Sequence, residues 1–211
     1  MFDNQNIVTN NDVIKNVFSS DQINLLYKNI DLNYNKNIML QDFYGRMYIP
    51  LYWRQKTNIS GPISLTIDQT IFDFIVKQSA KFSNVSLQIE SISFARYSLK
   101  YGTPCLHPHS DTNFKQARLT FDVQLGGNID WPILVDNKKY LLKNNDAIIF
   151  SGTHEVHWRS KQFFNDEDYL DILLCQLSEK TDSVKQLDDK FIESMTIKQK
   201  VLKLKYEKGL I

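Results

Sequence analysis

The apolar residues of this chain fall into two rhythms. Over 119–125, 132–135, 140–142 and 147–150 they come in short runs, broken by Gly126-Gly127-Asn128 and Asp136-Asn137, residues that chains use to turn. Runs this close together leave no room for the helical crossovers that parallel strands need. The spacing therefore predicts a small antiparallel barrel or sandwich rather than βαβ units.

Elsewhere the period lengthens. Ser19-Ser20-Asp21 precede Ile23, Leu26, Tyr27 and Ile30, the spacing of an N-capped amphipathic helix. Ile71, Phe72, Phe74, Ile75 and Phe82 mark a second helix over 68–82. A third is expected over 183–207, its apolar stripe running through Leu187, Phe191 and Met195 and on to Ile197, Val201 and Leu204, where it closes over the barrel or pairs with another subunit. The segment 43–54 is unusually aromatic and carries Arg46 and Arg54; it reads as a strand extending the sheet or as the wall of a substrate entrance.

Together these elements describe an α+β, mainly β chain. One domain is expected over 1–211, with an N-terminal scaffold (1–84), a β core (about 85–178) and a C-terminal helical extension (179–211).

Composition narrows the partners. With 42% hydrophobic residues in 211, the chain can bury a full core. A net charge of +1, from 25 basic and 24 acidic residues, leaves no overall electrostatic footprint for nucleic acid, so such a partner is disfavoured. Cys105 and Cys175 belong to no recognisable motif and suggest a reducing compartment. The start, Met1-Phe2-Asp3-Asn4-Gln5-Asn6, lacks the basic and apolar regions of a signal peptide, and no apolar run approaches a membrane span. The expectation is a cytoplasmic protein with no membrane partner.

The chemistry lies in the histidines. All four fall in two windows, His107 and His109 in Leu106-His107-Pro108-His109-Ser110-Asp111, and His154 and His157 in Gly152-Thr153-His154-Glu155-Val156-His157-Trp158-Arg159. On a strand, alternate side chains share a face, so His109 and Asp111 point into one cavity. With a third His from the second window they form a two-histidine, one-carboxylate set, which holds Fe(II) on one face and leaves the opposite positions open. Structural zinc is a weaker rival, because neither cysteine has a Cys partner nearby in sequence.

These residues carry a family likeness. Tyr97, the Tyr101-Gly102 turn, His109-x-Asp111, the 119–125 run, Asn145-Asp146 before Ala147-Ile148-Ile149-Phe150, and His157-Trp158-Arg159 resemble the core of the 2-oxoglutarate and Fe(II)-dependent dioxygenases. The resemblance implies a double-stranded β-helix (jelly-roll) core with flanking helices. It implies a metal set of His109, Asp111 and His157, with His154 the alternative to His157, and His107 at the rim. It also implies 2-oxoglutarate as cosubstrate, O2 as oxidant, ascorbate as a supporting reductant, and hydroxylation of an unactivated C–H bond with release of succinate and CO2.

The cosubstrate's distal carboxylate needs a cation, for which a forked Arg suits. Many relatives place it about ten positions after the distal His, where this chain reads Asn165-Asp166-Glu167-Asp168-Tyr169-Leu170-Asp171 and has no base. Arg159, two past His157, and Arg118, at the start of the 119–125 strand, are the substitutes, with Tyr97 as hydroxyl donor; Lys115 and Lys161 are expected to be solvated. A small molecule or a peptide side chain is the expected substrate. The competing readings are a catalytically silent barrel serving as a metal-binding or interaction module, and a cupin-type metal enzyme that uses no oxo acid.

Overall fold

The computed structural model describes residues 12–35, 40–42, 44–54, 67–112, 118–180 and 186–211. Lys115, the N-terminal stretch 1–6 and the expected helix start at Ser183 lie outside the described residues. In chain order the elements are β1 (Asp12–Ile14), α1 (Ser20–Asn35), β2 (Leu40–Asp42), β3 (Arg46–Trp53), α2 (Gln69–Ser79), β4 (Leu87–Tyr97), β5 (Leu106–His109), β6 (Leu119–Gly127), β7 (Ile133–Val135), β8 (Lys138–Tyr140), β9 (Asp146–Phe150), β10 (His157–Arg159), β11 (Leu170–Glu179) and α3 (Asp189–Glu207).

The strands form two antiparallel sheets, a major one in the order β1-β9-β6-β11-β4-β3-β2 and a minor one in the order β5-β10-β7-β8. From β4 to β11 the chain passes between them as a jelly-roll, double-stranded β-helix. Alternation along the strands decides which side chains meet which layer. Leu119, Phe121 and Val123 of β6 and Leu173, Cys175 and Leu177 of β11 join one apolar cluster with Leu26, Ile30, Ile71 and Ile75 of α1 and α2. The two helices thus cover the outer face of the major sheet. The alternate residues of the same strands, Thr120 and Asp122 of β6 and Ile172, Leu174 and Gln176 of β11, face the barrel interior.

The hairpin between β7 and β8 shows how local chemistry sets register. Asp136 and Asn137 both have positive φ, 44° and 70°, as a two-residue primed turn demands, and pair Val135 with Lys138 and Ile133 with Tyr140. The strand therefore runs over 138–140 rather than 140–142, and Leu142 reaches the core from the connection that follows. Asn145, also at positive φ (69°), takes the place expected of a turn glycine; its side chain accepts from Phe18 N–H at 2.8 Å and donates to the Phe18 carbonyl at 2.7 Å, tying the N-terminal segment to the barrel.

α3 differs from its expected stripe. Met195, Leu202 and Tyr206 are buried and pack with Trp158 of the minor sheet and with Val156 just before it, whereas Ile197, Val201 and Leu204 are 57%, 48% and 56% exposed. The reason is helical geometry: two residues past Met195 the helix has turned by about 200°, so Ile197 begins a second apolar row on the opposite side. No helix among the described residues is long and apolar enough to cross a membrane.

Candidate metal centre

His109 ends β5 and His157 begins β10, and the two are direct cross-strand partners, which sets their rings 4.1 Å apart. Just beyond β5 the chain turns back: the Asp111 N–H donates to the Gly152 carbonyl at 2.8 Å, bringing the carboxylate to the two imidazoles. One ligand atom from each of His109, Asp111 and His157 lies within 4.8 Å of the others.

The surroundings leave the right atoms for a metal. His109 Nδ1 is 2.8 Å from the His107 carbonyl and His157 Nδ1 is 3.1 Å from the Glu155 carbonyl. A carbonyl only accepts, so each Nδ1 carries a proton and each Nε2 is the atom left to face a ligand. Burial, and then His157, holds the His109 imidazole well below its ordinary pKa of 6.5, which keeps it in the neutral form that coordinates. Asp111 Oδ2 accepts from Thr120 Oγ1 at 3.2 Å and from Gln176 Nε2 at 3.3 Å. Two imidazoles and an anchored carboxylate are the donor set that suits a divalent first-row metal.

The other two histidines are directed elsewhere. His107 packs edge-on to Tyr206 of α3 at 5.2 Å, with Nε2 3.7 Å from Cys105 Sγ. His154 has Nδ1 at 2.9 Å from both Ser151 Oγ and Thr153 Oγ1, and its ring lies on Phe191 of α3.

A cavity of about 450 Å³ opens beside the three metal-binding side chains. Arg159 lines it, 1% exposed, with Nη1 donating to the Trp131 carbonyl and Nη2 3.8 Å from Asp122 Oδ2. Burial pushes the Asp122 carboxyl upward against the pull of Arg159. Tyr97 also lines the cavity; burial raises its pKa, so the hydroxyl keeps its proton while accepting from Arg46 Nη1 at 2.9 Å. Arg118 does not line the cavity. Its Nη1 donates instead to Gln176 Oε1 at 2.9 Å, so that it holds the amide that holds Asp111. Lys161 is exposed; its Nζ donates to the Glu207 carbonyl and lies over the Tyr206 ring.

In the segment 44–54, β3 extends the major sheet, and Tyr44, Arg46, Tyr48 and Trp53 line the cavity. Asp122, Thr120 and Gln176 escaped sequence reasoning. The signal was present in Thr120, Asp122 and Gln124, which alternate with Leu119, Phe121, Val123 and Leu125 in a strand buried on both faces.

No protein-family model matches the chain, and no curated protein matches it. Solved structures do. A 2OG-Fe(II) oxygenase family oxidoreductase from Burkholderia pseudomallei aligns with a TM-score of 0.58 at 12% identity, covering 83% of this chain and 88% of its own. The non-heme alpha-ketoglutarate-dependent epimerase SnoN of nogalamycin biosynthesis gives 0.60 at 10% identity, with 84% and 86% covered. A Trichoplax adhaerens prolyl hydroxylase, solved with a hypoxia-inducible-factor peptide, gives 0.54 at 12% identity, with 79% and 82% covered. At such identities the likeness is one of fold: the chain folds as these oxygenases do.

Proposed function

We propose that the chain is a 2-oxoglutarate- and Fe(II)-dependent oxygenase that hydroxylates an unactivated C–H bond in a small molecule or a peptide side chain. The observation that carries this reading is the convergence of His109, Asp111 and His157 on one wall of a cavity, in the fold of enzymes of that class. Bound there, Fe(II) supplies the activation of O2. In the net reaction 2-oxoglutarate, O2 and substrate R–H give succinate, CO2 and R–OH, and ascorbate supports turnover by keeping iron reduced.

The chain's own groups do the rest. His109, Asp111 and His157 hold the metal. Arg159 attracts the distal carboxylate of the oxo acid, and Tyr97 Oη donates to a carboxylate oxygen. Arg118 acts at one remove, through Gln176, on the orientation of Asp111. Tyr44, Tyr48 and Trp53 give the cavity an aromatic wall that shields the reacting carbon from water.

We further propose one domain over 1–211, a cytoplasmic location in keeping with cysteines that form no disulfide, and a homodimer contact on the outward row Ile197, Val201 and Leu204.

A second reading, a barrel that keeps the metal without the oxo acid, is favoured by one observation, the acid Asp122 beside Arg159. Succinate release from 2-oxoglutarate with Fe(II), ascorbate and O2 separates the two. Oxygenase activity predicts uncoupled turnover that Asp111→Ala abolishes. Replacing His109, Asp111 or His157 by Ala should each lower iron affinity, while His107→Ala and His154→Ala keep the metal. Iron lost from His154→Ala and retained by His157→Ala would refute the metal set.

A further inference from the structure

Asp122 sits on the inner face of β6, opposite Arg159 of β10, and both side chains are sealed from solvent, 4% and 1% exposed. Their closest approach of 3.8 Å is too long for a hydrogen bond. Asp122 Oδ1 and Arg159 Nη2 accordingly have no hydrogen-bond partner among the described residues. Two buried, oppositely charged groups thus line the same cavity as the metal set, each with an unused polar atom: one acceptor, one donor.

That pairing has a chemical consequence for whatever ligand end arrives. A carboxylate accepts from Arg159 and then lies beside a second carboxylate with little water between them, and like charges so placed repel. An uncharged carboxamide meets both needs, its carbonyl accepting from Arg159 Nη2 and its N–H donating to Asp122 Oδ1. Discrimination between ligands is a difference of affinities, and a group that repels one of them sets it as surely as a group that attracts the other.

We propose that Asp122 is a specificity-determining residue of the oxo-acid subsite: by sharing Arg159 with the ligand, it removes most of the preference for a distal carboxylate over a distal carboxamide. The inference rests on the oxo-acid reading above and adds to it that the far end of the cosubstrate pocket is matched to a donor and an acceptor side by side, not to an anion alone.

The test uses two inert chelators that share an oxalyl end, N-oxalylglycine with a distal carboxylate and N-oxalylglycinamide with a distal carboxamide. Each is titrated calorimetrically into the Co(II)-loaded full chain. In the unmodified protein the two dissociation constants should agree within about tenfold; in Asp122→Asn the carboxylate probe should tighten by about tenfold or more relative to the amide, with Co(II) affinity unchanged. A preference for the carboxylate above about tenfold in the unmodified protein overturns the inference, and this arm decides alone should Asp122→Asn not fold. An unchanged probe ratio in a folded Asp122→Asn overturns it as well. Should the metal-loaded protein bind neither probe, the oxo-acid reading itself fails, and the inference with it.

Discussion

Gly152 and Asp111 are fitted to each other at two points. The Asp111 N–H donates to the Gly152 carbonyl at 2.8 Å, and a Cβ placed on Gly152 would lie 2.3 Å from Asp111 Oδ2 and from Thr120 Oγ1. The atoms in the way are the ends of side chains, not backbone. A methyl group there displaces the carboxylate and leaves the sheet standing. Gly152→Ala should keep its fold by circular dichroism and lose about tenfold or more in Fe(II) or Co(II) affinity, the scale of disturbing a partner of a metal ligand. Wild-type metal affinity in Gly152→Ala would show that Asp111 does not ligate.

Gln176 Nε2 donates to Asp111 Oδ2, and its own oxygen is held by Arg118 and by Ser91 Oγ. Gln176→Leu keeps the bulk and removes the amide. Metal affinity should fall about 10- to 100-fold, with a changed d–d spectrum of the Co(II) protein. An unaltered spectrum would mean that Gln176 only fills space.

Burial holds the imidazoles of His107, His109 and His154 below their ordinary 6.5. Each is therefore neutral in the fold and takes up a proton on unfolding once the pH is below 6.5. The unfolded chain then binds more protons than the native one, so stability falls as the pH drops from about 6.5 toward the native values. The lowered carboxyl groups, Asp68 and Asp146, act only below their ordinary 3.8 and do not contribute in this window. Urea unfolding of the metal-free protein should give lower stability at pH 5 than at pH 7.5, and His154→Gln should flatten the difference. Equal stability at both would contradict the burial of these rings.

Asp171 and Arg96 face each other across β11 and β4, closing a two-pronged ion pair at 2.7 Å for each prong, with Tyr27 Oη donating to the same carboxylate at 2.9 Å. The carboxylate is 0% exposed and the guanidinium 37%. The two deletions are thus unequal. Arg96→Met strands a fully buried charge and should cost about 3–5 kcal/mol, whereas Asp171→Ala strands a group that water can reach and should cost about 2–3 kcal/mol. Equal losses in chemical denaturation would argue that Asp171 is hydrated in the native state.

Much of this molecule is legible locally. The run 147–150, the turn residues Asp136 and Asn137, and the cap ahead of α1 act over a few residues, and the structure puts them where the pattern does. The His-x-Asp pair is local only in part: His109 is on β5, whereas Asp111 lies beyond the strand's end and is aimed by the bond of its N–H to the Gly152 carbonyl, not by alternation along one strand as expected. What could not be read depends on distance along the chain. Gln176 meets Asp111 across 65 residues and Arg46 meets Tyr97 across 51, contacts that only strand order creates. Asp122 belongs to a polar row that alternates with Leu119, Phe121 and Val123, and nothing local shows that this row is buried as fully as the apolar one, since that depends on the sheet packed opposite β6. The row of α3 was misjudged at Ile197, since Met195 and Ile197 belong to different faces of one helix.

α3 lies against the minor sheet, and its side chains bear on the loops that present the metal-binding groups. Gln199 Oε1 accepts the N–H of Ser110, the residue between His109 and Asp111, at 3.3 Å, while Tyr206 and Phe191 lie on His107 and His154. The helix is in this sense a splint, and the two histidines outside the metal set are the padding beneath it. A substitution or bulky fusion at residues 189–211 that lifts α3 would then act first as a loss of metal retention, before the two sheets are disturbed, and preparations differing only there would give different apparent activities from the same barrel.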